Sequence, residues 1–210
     1  MMDNPTVEAV DSSTAAAAVA VLAGAFADDP IFNYILGDRS DSETRLGYLF
    51  GESVRAELRK SAHLVEMTQA GNAVALWYDV DDWKTPPMEL VRLLPSAVRA
   101  FGMRLPRALR VLLSAEKVHP SEPHRYLAYI GTHHDHKGKG LGSVLLKSMM
   151  ERCDHEGVAA YLESTNPVND AWYARLGFES RGPVPLPRDA PVLTAMWRDP
   201  RERVRADVGR

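Results

Sequence analysis

The residues with the most pointed chemistry run from Ile130 to Gly142, as Ile-Gly-Thr-His-His-Asp-His-Lys-Gly-Lys-Gly-Leu-Gly. A strand-like run, Tyr126 to Ile130, leads in, and an amphipathic run, Leu141 to Cys153, leads out. A strand, a glycine-rich turn and a helix make an anion site. Glycines at 138, 140 and 142 let a phosphate approach the main chain, and the first-turn N–H groups of the helix lack intrahelical acceptors. Pyrophosphate is the expected ligand. A P-loop would need glycine at His133 and a magnesium-binding hydroxyl at Gly140, and fails at both. A dinucleotide turn needs G-x-G-x-x-G near the start of a βαβ unit, whereas these glycines are spaced G-x-G-x-G deep in the chain.

Lys137-Gly138-Lys139-Gly140-Leu141-Gly142 resembles the acyl-CoA loop of the GCN5-related N-acetyltransferases (GNAT), Q/R-x-x-G-x-G/A, with lysine at the first position. Downstream, Asn166-Pro167 and Tyr173-Ala174-Arg175-Leu176-Gly177-Phe178 resemble that family's Asn-Pro loop and Tyr-x-x-x-Gly-Phe signature. The order and separation are similar to the puromycin N-acetyltransferase-like branch. The resemblance implies an α/β (α+β) fold with a mixed, mostly antiparallel sheet, flanked by helices. It also implies that the fourth and fifth strands, here about 125–131 and 158–163, splay to admit acetyl-CoA. The cofactor would lie against Ile130, Thr132, Lys137, Gly138, Lys139, Gly140, Leu141 and Gly142.

The resemblance also assigns roles. Tyr173 matches the family tyrosine that protonates the departing CoA thiolate, and a phenol within hydrogen-bond reach suits that task. Asn166 and Asn169 can pair with the amide bonds of pantetheine, which need donor and acceptor, or can serve as turn and cap residues. Glu163, ending the strand on the gap, is the candidate base or amine-orienting group, with an ordinary ion pair as the alternative. Lys137 and Lys139 suit the pyrophosphate as point charges. His133, His134, Asp135 and His136 lie in one contiguous loop. Metal sites draw ligands from separated elements or helical pairs, so no metal is expected. For the acceptor, Trp77 and Tyr78 offer an aromatic wall, with Trp77 in the core as the alternative. Asp28, Asp29, Asp79, Asp81 and Asp82 offer negative charge for an amine. Cys153 sits within the helix after the loop, so direct transfer in a ternary complex is expected over a cysteine-linked route.

These residues must be carried by a scaffold. A short strand at 6–10 precedes a helix bearing Ala15, Ala18, Val19, Leu22 and Phe26, ended by Asp28-Asp29-Pro30. Helices follow at 31–36 and 43–60, then a hairpin from 63–68 and 72–80. Helical periodicity over 88–118 breaks near Gly102 and Pro106. After the central strand and helix, Gly157 caps the helix, a short helix spans 170–176, and two strands close the domain. We expect one domain over 1–200, with helical insertions at about 31–60 and 87–118 and a charged tail over 201–210. Hydrophobic content of 45% and charged content of 25% are ordinary for a soluble protein. A net charge of −3 gives no reason to expect nucleic acid or membrane. One cysteine and no basic leader suit the cytoplasm. The expected activity is N-acetylation of a small amine, an antibiotic or toxic metabolite among them, by a monomer or homodimer. Acetylation of peptide amines and non-catalytic acyl-CoA sensing are the alternatives.

Overall fold

This computed structural model describes residues 6–37, 40–60, 64–84 and 87–201; the expected tail beyond Arg201 lies outside them. Strands β1 (Val7–Ala9), β2 (Val65–Thr68), β3 (Ala73–Tyr78) and β4 (His124–Thr132) precede β5 (Ala159–Ser164), β6 (Glu179–Pro183) and β7 (Thr194–Arg198). They form one sheet in the order β1-β2-β3-β4-β5-β7-β6. Every pairing is antiparallel except β4 with β5, which is parallel. A parallel neighbour needs a crossover, and α6 (Leu141–Glu156) supplies it.

Both faces of the sheet are covered. One face packs on α1 (Ala15–Phe26), α2 (Pro30–Leu36), α3 (Ser42–Lys60), α4 (Pro87–Phe101) and α5 (Leu105–Glu116). The other packs on α6 and α7 (Asp170–Arg175). Residues 73–77 of β3 are therefore buried on both sides, which is why they read as an unbroken apolar run. The helix boundaries follow local chemistry. Asp29 caps α2 by accepting from the N–H groups of Ile31 and Phe32, at 2.9 and 3.1 Å. Gly157 ends α6 in the left-handed conformation, its N–H returning to the Cys153 carbonyl. A 3₁₀ turn at Gly102–Arg104 separates α4 from α5 where the periodicity breaks.

The splay has a local cause. Pairing of β4 with β5 stops at Leu127↔Leu162, although β4 continues to Thr132. In the β3–β4 ladder Leu76 pairs with Tyr129 but Trp77 pairs with Leu127, so Ala128 is an extra, bulged residue. A bulge bends its strand and sharpens the twist. Here it falls one residue past the last β4–β5 pair and turns β4 away from β5. Gly131 then lies so close to α1 that a Cβ would stand 2.7 Å from that of Ala25, so the absent side chain sets the helix–strand approach. Among the described residues no single helix is long and apolar enough to cross a membrane; α1 and α2 qualify only as a pair bent by 85°.

Candidate active site

A cleft of about 630 Å³ fills the gap between the splayed strands. Its walls are the end of β4 with Ile130 and Thr132, the end of β5 with Glu163, the start of α6 and the α7 segment. On the loop side it is lined by His136, Lys137, Gly138, Gly140, Leu141 and Gly142. Gly138 and Gly140 have φ of 77° and 79°, the left-handed region that favours glycine. A Cβ at either would meet no protein atom within 4 Å, so the loop's inner side is open. Gly142 has a packing cause: a Cβ there would stand 3.3 Å from the ring of Trp172, whose Nε1 donates to Ser143 Oγ at 2.8 Å. That contact fixes α7 on the first turn of α6. Lys139 lies outside the lining, its Nζ 3.5 Å from His136 Nδ1.

Tyr173 lines the cleft and is 6% exposed, its ring packed between Trp172 and Phe178 at 4.6 and 6.0 Å. Burial, with the Asp170 and Asp29 carboxylates adding to it, pushes the phenol well above the ordinary tyrosine range. It therefore stays protonated at neutral pH. Asn166 and Asn169 also line the cleft. Asn166 Oδ1 is taken by the Val168 N–H at 3.1 Å, which is turn chemistry, whereas the Asn169 side chain makes no cap bond. Arg175 adds a cation to this wall.

Across the gap, Asp28 and Asp29 line the cleft from the α1–α2 turn. Asp29 is a buried structural carboxylate as well as a lining one. Besides capping α2 it accepts from the Thr165 hydroxyl, tying α2 to the end of β5. Burial raises its pKa despite the bonds from Thr165, Phe32 and Ile31. Glu163 has a side chain only 7% exposed. Its Oε2 accepts from Tyr126 Oη at 2.6 Å. Its Oε1 has no hydrogen bond and faces His119 Nδ1 at 3.6 Å.

The aromatic wall expected from Trp77 and Tyr78 is not at the cleft. Trp77 is fully buried on the α6 face, because alternation along β3 turns it away from its neighbour Tyr78. Tyr78 lies on the opposite face beside Tyr126, at 5.8 Å, with Lys60 over its ring. The acidic loop is engaged elsewhere too: Asp79 pairs with Arg125 at 3.2 Å and Asp82 with Lys60 at 2.8 Å. Tyr129 and Phe26 join Trp172 and Tyr173 as aromatics lining the cleft, and burial pushes the Tyr129 phenol up to about 12. His133, His134 and Asp135 bring ligand atoms within 4.8 Å of one another at the exposed loop rim, while His133 caps its own turn by accepting from the Asp135 N–H at 3.4 Å.

A mixed sheet opened beside its one parallel pair, with a bare glycine turn at a helix N-terminus and a buried phenol on the far wall, defines an acyl-CoA-dependent acyltransferase. Residues 108–178 match the family model described as Acetyltransferase (GNAT) family, and the protein is an acetyl-CoA-dependent acetyltransferase. It is 28% identical over 96% of its length, and 85% of the relative's, to an uncharacterized N-acetyltransferase of Schizosaccharomyces pombe. It resembles a solved structure described as histone acetyltransferase HPA2 and related acetyltransferase, from Corynebacterium glutamicum. That match has a TM-score of 0.69 and 28% identity, covering 95% of this chain and 98% of the other. The fold extends to Chaetomium thermophilum Naa20 solved with a bisubstrate analogue, at a TM-score of 0.52 and 13% identity, covering 98% and 92%.

Proposed function

We propose that the protein transfers the acetyl group of acetyl-CoA directly to the amine of a compact molecule, with Glu163 as base and Tyr173 as acid. One observation carries the choice of acceptor. The Asp29–Thr165 hydrogen bond joins the α1–α2 turn to the end of β5, straddling the cleft on the side where Glu163 waits. A peptide would need an extended open groove there; a small amine needs only a pocket. Glu163 and Tyr173 reach the cleft from opposite faces of the sheet, since Glu163 follows Tyr161 by two residues on the α1–α5 face and Tyr173 packs with α6. Amine and thioester sulfur can then be served from separate sides. The N–H groups at the start of α6, with Lys137 and Arg175, suit the pyrophosphate, and Asn169 suits the pantetheine amides. A domain spanning 1–200, with 31–60 and 87–118 as inserted walls, accords with this use of the early helices.

Acetylation of a peptide amine is the second reading. It is favoured by the 28% identity to the structure described as a histone acetyltransferase. A thiol-release screen with acetyl-CoA decides between them, using puromycin, kanamycin, spermidine, single amino acids and short peptides with free N-termini or lysines. Puromycin is included for the branch that the two motifs resemble. We expect turnover on compact amines. Turnover on peptides alone would overturn this proposal, and tight CoA binding without turnover on any amine would replace it with a sensor.

A further inference from the structure

Behind Glu163 lies a buried histidine pair that the acid–base roles above do not use. His119 follows α5 and His124 opens β4; their Nε2 atoms are 3.0 Å apart. His124 Nδ1 is 2.6 Å from the Glu122 carbonyl oxygen. His119 Nδ1 faces Glu163 Oε1 at 3.6 Å. Trp83, from the loop after β3, stacks on His119 at 3.7 Å and shields it from water. The other groups facing the cluster are Tyr126 from β4, Tyr161 from β5 and Trp197 from β7. Arg181 from β6 approaches from outside, paired with the Glu122 carboxylate at 3.4 Å.

These contacts order the protons. A carbonyl oxygen only accepts, so His124 Nδ1 carries a hydrogen. When neutral, His124 then presents a lone pair at Nε2, and His119 must donate to it from its own Nε2. A neutral His119 is left with a lone pair at Nδ1. That lone pair faces Glu163 Oε1, which is also an acceptor and has no hydrogen-bond partner. Two acceptors across a 3.6 Å gap inside the protein leave a place for one proton. Burial, with His119 beside it, holds the His124 pKa down, so the incoming proton stays on the Glu163 side.

We propose that Glu163 and His119, with His124 fixing the tautomer, form a trap for the one proton the acceptor amine gives up. This rests on the reading of Glu163 as base. The amine nitrogen bonds to the acetyl carbon and the C–S bond breaks, its electron pair leaving on sulfur. The amine proton enters between Glu163 Oε1 and His119 Nδ1, while the thiolate takes a proton from Tyr173. Solvent restores both groups after products leave. His119 and His124 are positioning residues here: they act through Glu163 rather than on the amine.

The test is a pH titration of the full chain, carrying ring-15N histidine, followed by NMR without ligand. We expect the neutral wild-type protein to hold hydrogen at Nδ1 of His124 and at Nε2 of His119. On acidification the next proton should appear at His119 Nδ1. In Glu163→Gln the amide N–H can satisfy that lone pair and the anion is gone, so the same proton should appear only at lower pH, with a midpoint shift of about one unit or more. A neutral His119 carrying its hydrogen at Nδ1, or an unmoved midpoint in Glu163→Gln, would overturn the trap. The wild-type tautomers decide even if the variant misfolds. Thiol release separates the two ideas: unchanged turnover in Glu163→Gln removes the base itself, whereas lost turnover with the wrong tautomers leaves Glu163 acting alone.

Discussion

Replacing Tyr173 by Phe separates chemistry from structure. The ring keeps its contacts with Trp172 and Phe178, and among the described residues no group bonds the hydroxyl. No partner is left unsatisfied, so the stability change should be about 1 kcal/mol or less. That is about 2–4 °C in Tm for a domain of this size. Loss of a positioned general acid should instead slow the chemical step roughly 10²–10⁴-fold, or about 3–5 kcal/mol in the barrier. Rapid-quench single turnovers with acetyl-CoA and an active amine are the right assay, because slow product release would hide part of the loss in kcat. Calorimetry should find acetyl-CoA affinity within about threefold of wild type, since the proposed role of the hydroxyl is on the departing sulfur rather than on bound cofactor. The pH sign is fixed by burial, Asp170 and Asp29, which raise the phenol's pKa and keep the acid form present throughout neutral pH. An alkaline fall in rate below about pH 9 that disappears in Tyr173→Phe would refute this account, as would wild-type single-turnover chemistry in the variant.

Two further outcomes follow from features away from the phenol. Gly140→Val imposes a side chain at φ 79°, a strain of roughly 1–2 kcal/mol, and fills the open inner side of the loop. A folded variant should therefore lose acetyl-CoA binding by calorimetry, and retained affinity would remove the loop from the site. Asp154 makes a two-pronged pair with buried Arg198, at 2.7 Å to each oxygen, and this partner lowers its pKa below 3.8. A depressed carboxyl stabilises above its unfolded pKa and loses that contribution as pH falls through the folded value. The Tm difference between wild type and Asp154→Asn should be constant from pH 7 to about 5 and shrink below about 4; a gap that persists unchanged at pH 2.5 would contradict the assignment.

The glycine loop that lines the cleft was legible because its chemistry is local. Gly138 and Gly140 announce left-handed backbone, Gly157 a helix end, and the run from Leu141 an amphipathic helix, all within a few residues of one another. The acceptor side was not, because it is built from long-range pairings. Trp77 and Tyr78 looked like a shared wall, but a strand covered on both faces gives no sequence cue to which side meets a cleft. The bulge at Ala128 leaves no composition signal, since alanine suits either state. His119 and His124 were passed over for a related reason. They are two isolated histidines around a proline-containing connection, with no motif spacing, and only the parallel pairing of β4 with β5 brings them to Glu163. Asp29 shows the mixed case: its cap role before Pro30 is local, while its bond to Thr165 is not.

The early end of the β4–β5 ladder gives this sheet an edge in its middle. Among the described residues no strand covers that side of β4 beyond Leu127, although strands continue outward in both directions. Edges usually lie at the rim of a sheet, where they invite pairing with other chains. Here the edge is walled in by helices and faces a slot sized for a slender molecule. An amide-bearing arm that entered would be able to continue the ladder, and ligand binding would then finish the secondary structure. The two halves of the sheet, β1–β4 and β5–β7, are otherwise joined by four residue pairs. Stabilisation by mass action should therefore be concentrated at this seam. Amide exchange in 128–132 should slow on adding acetyl-CoA more than at the outer strands β1 and β6, making the centre of the sheet, rather than its rim, the part that responds to cofactor.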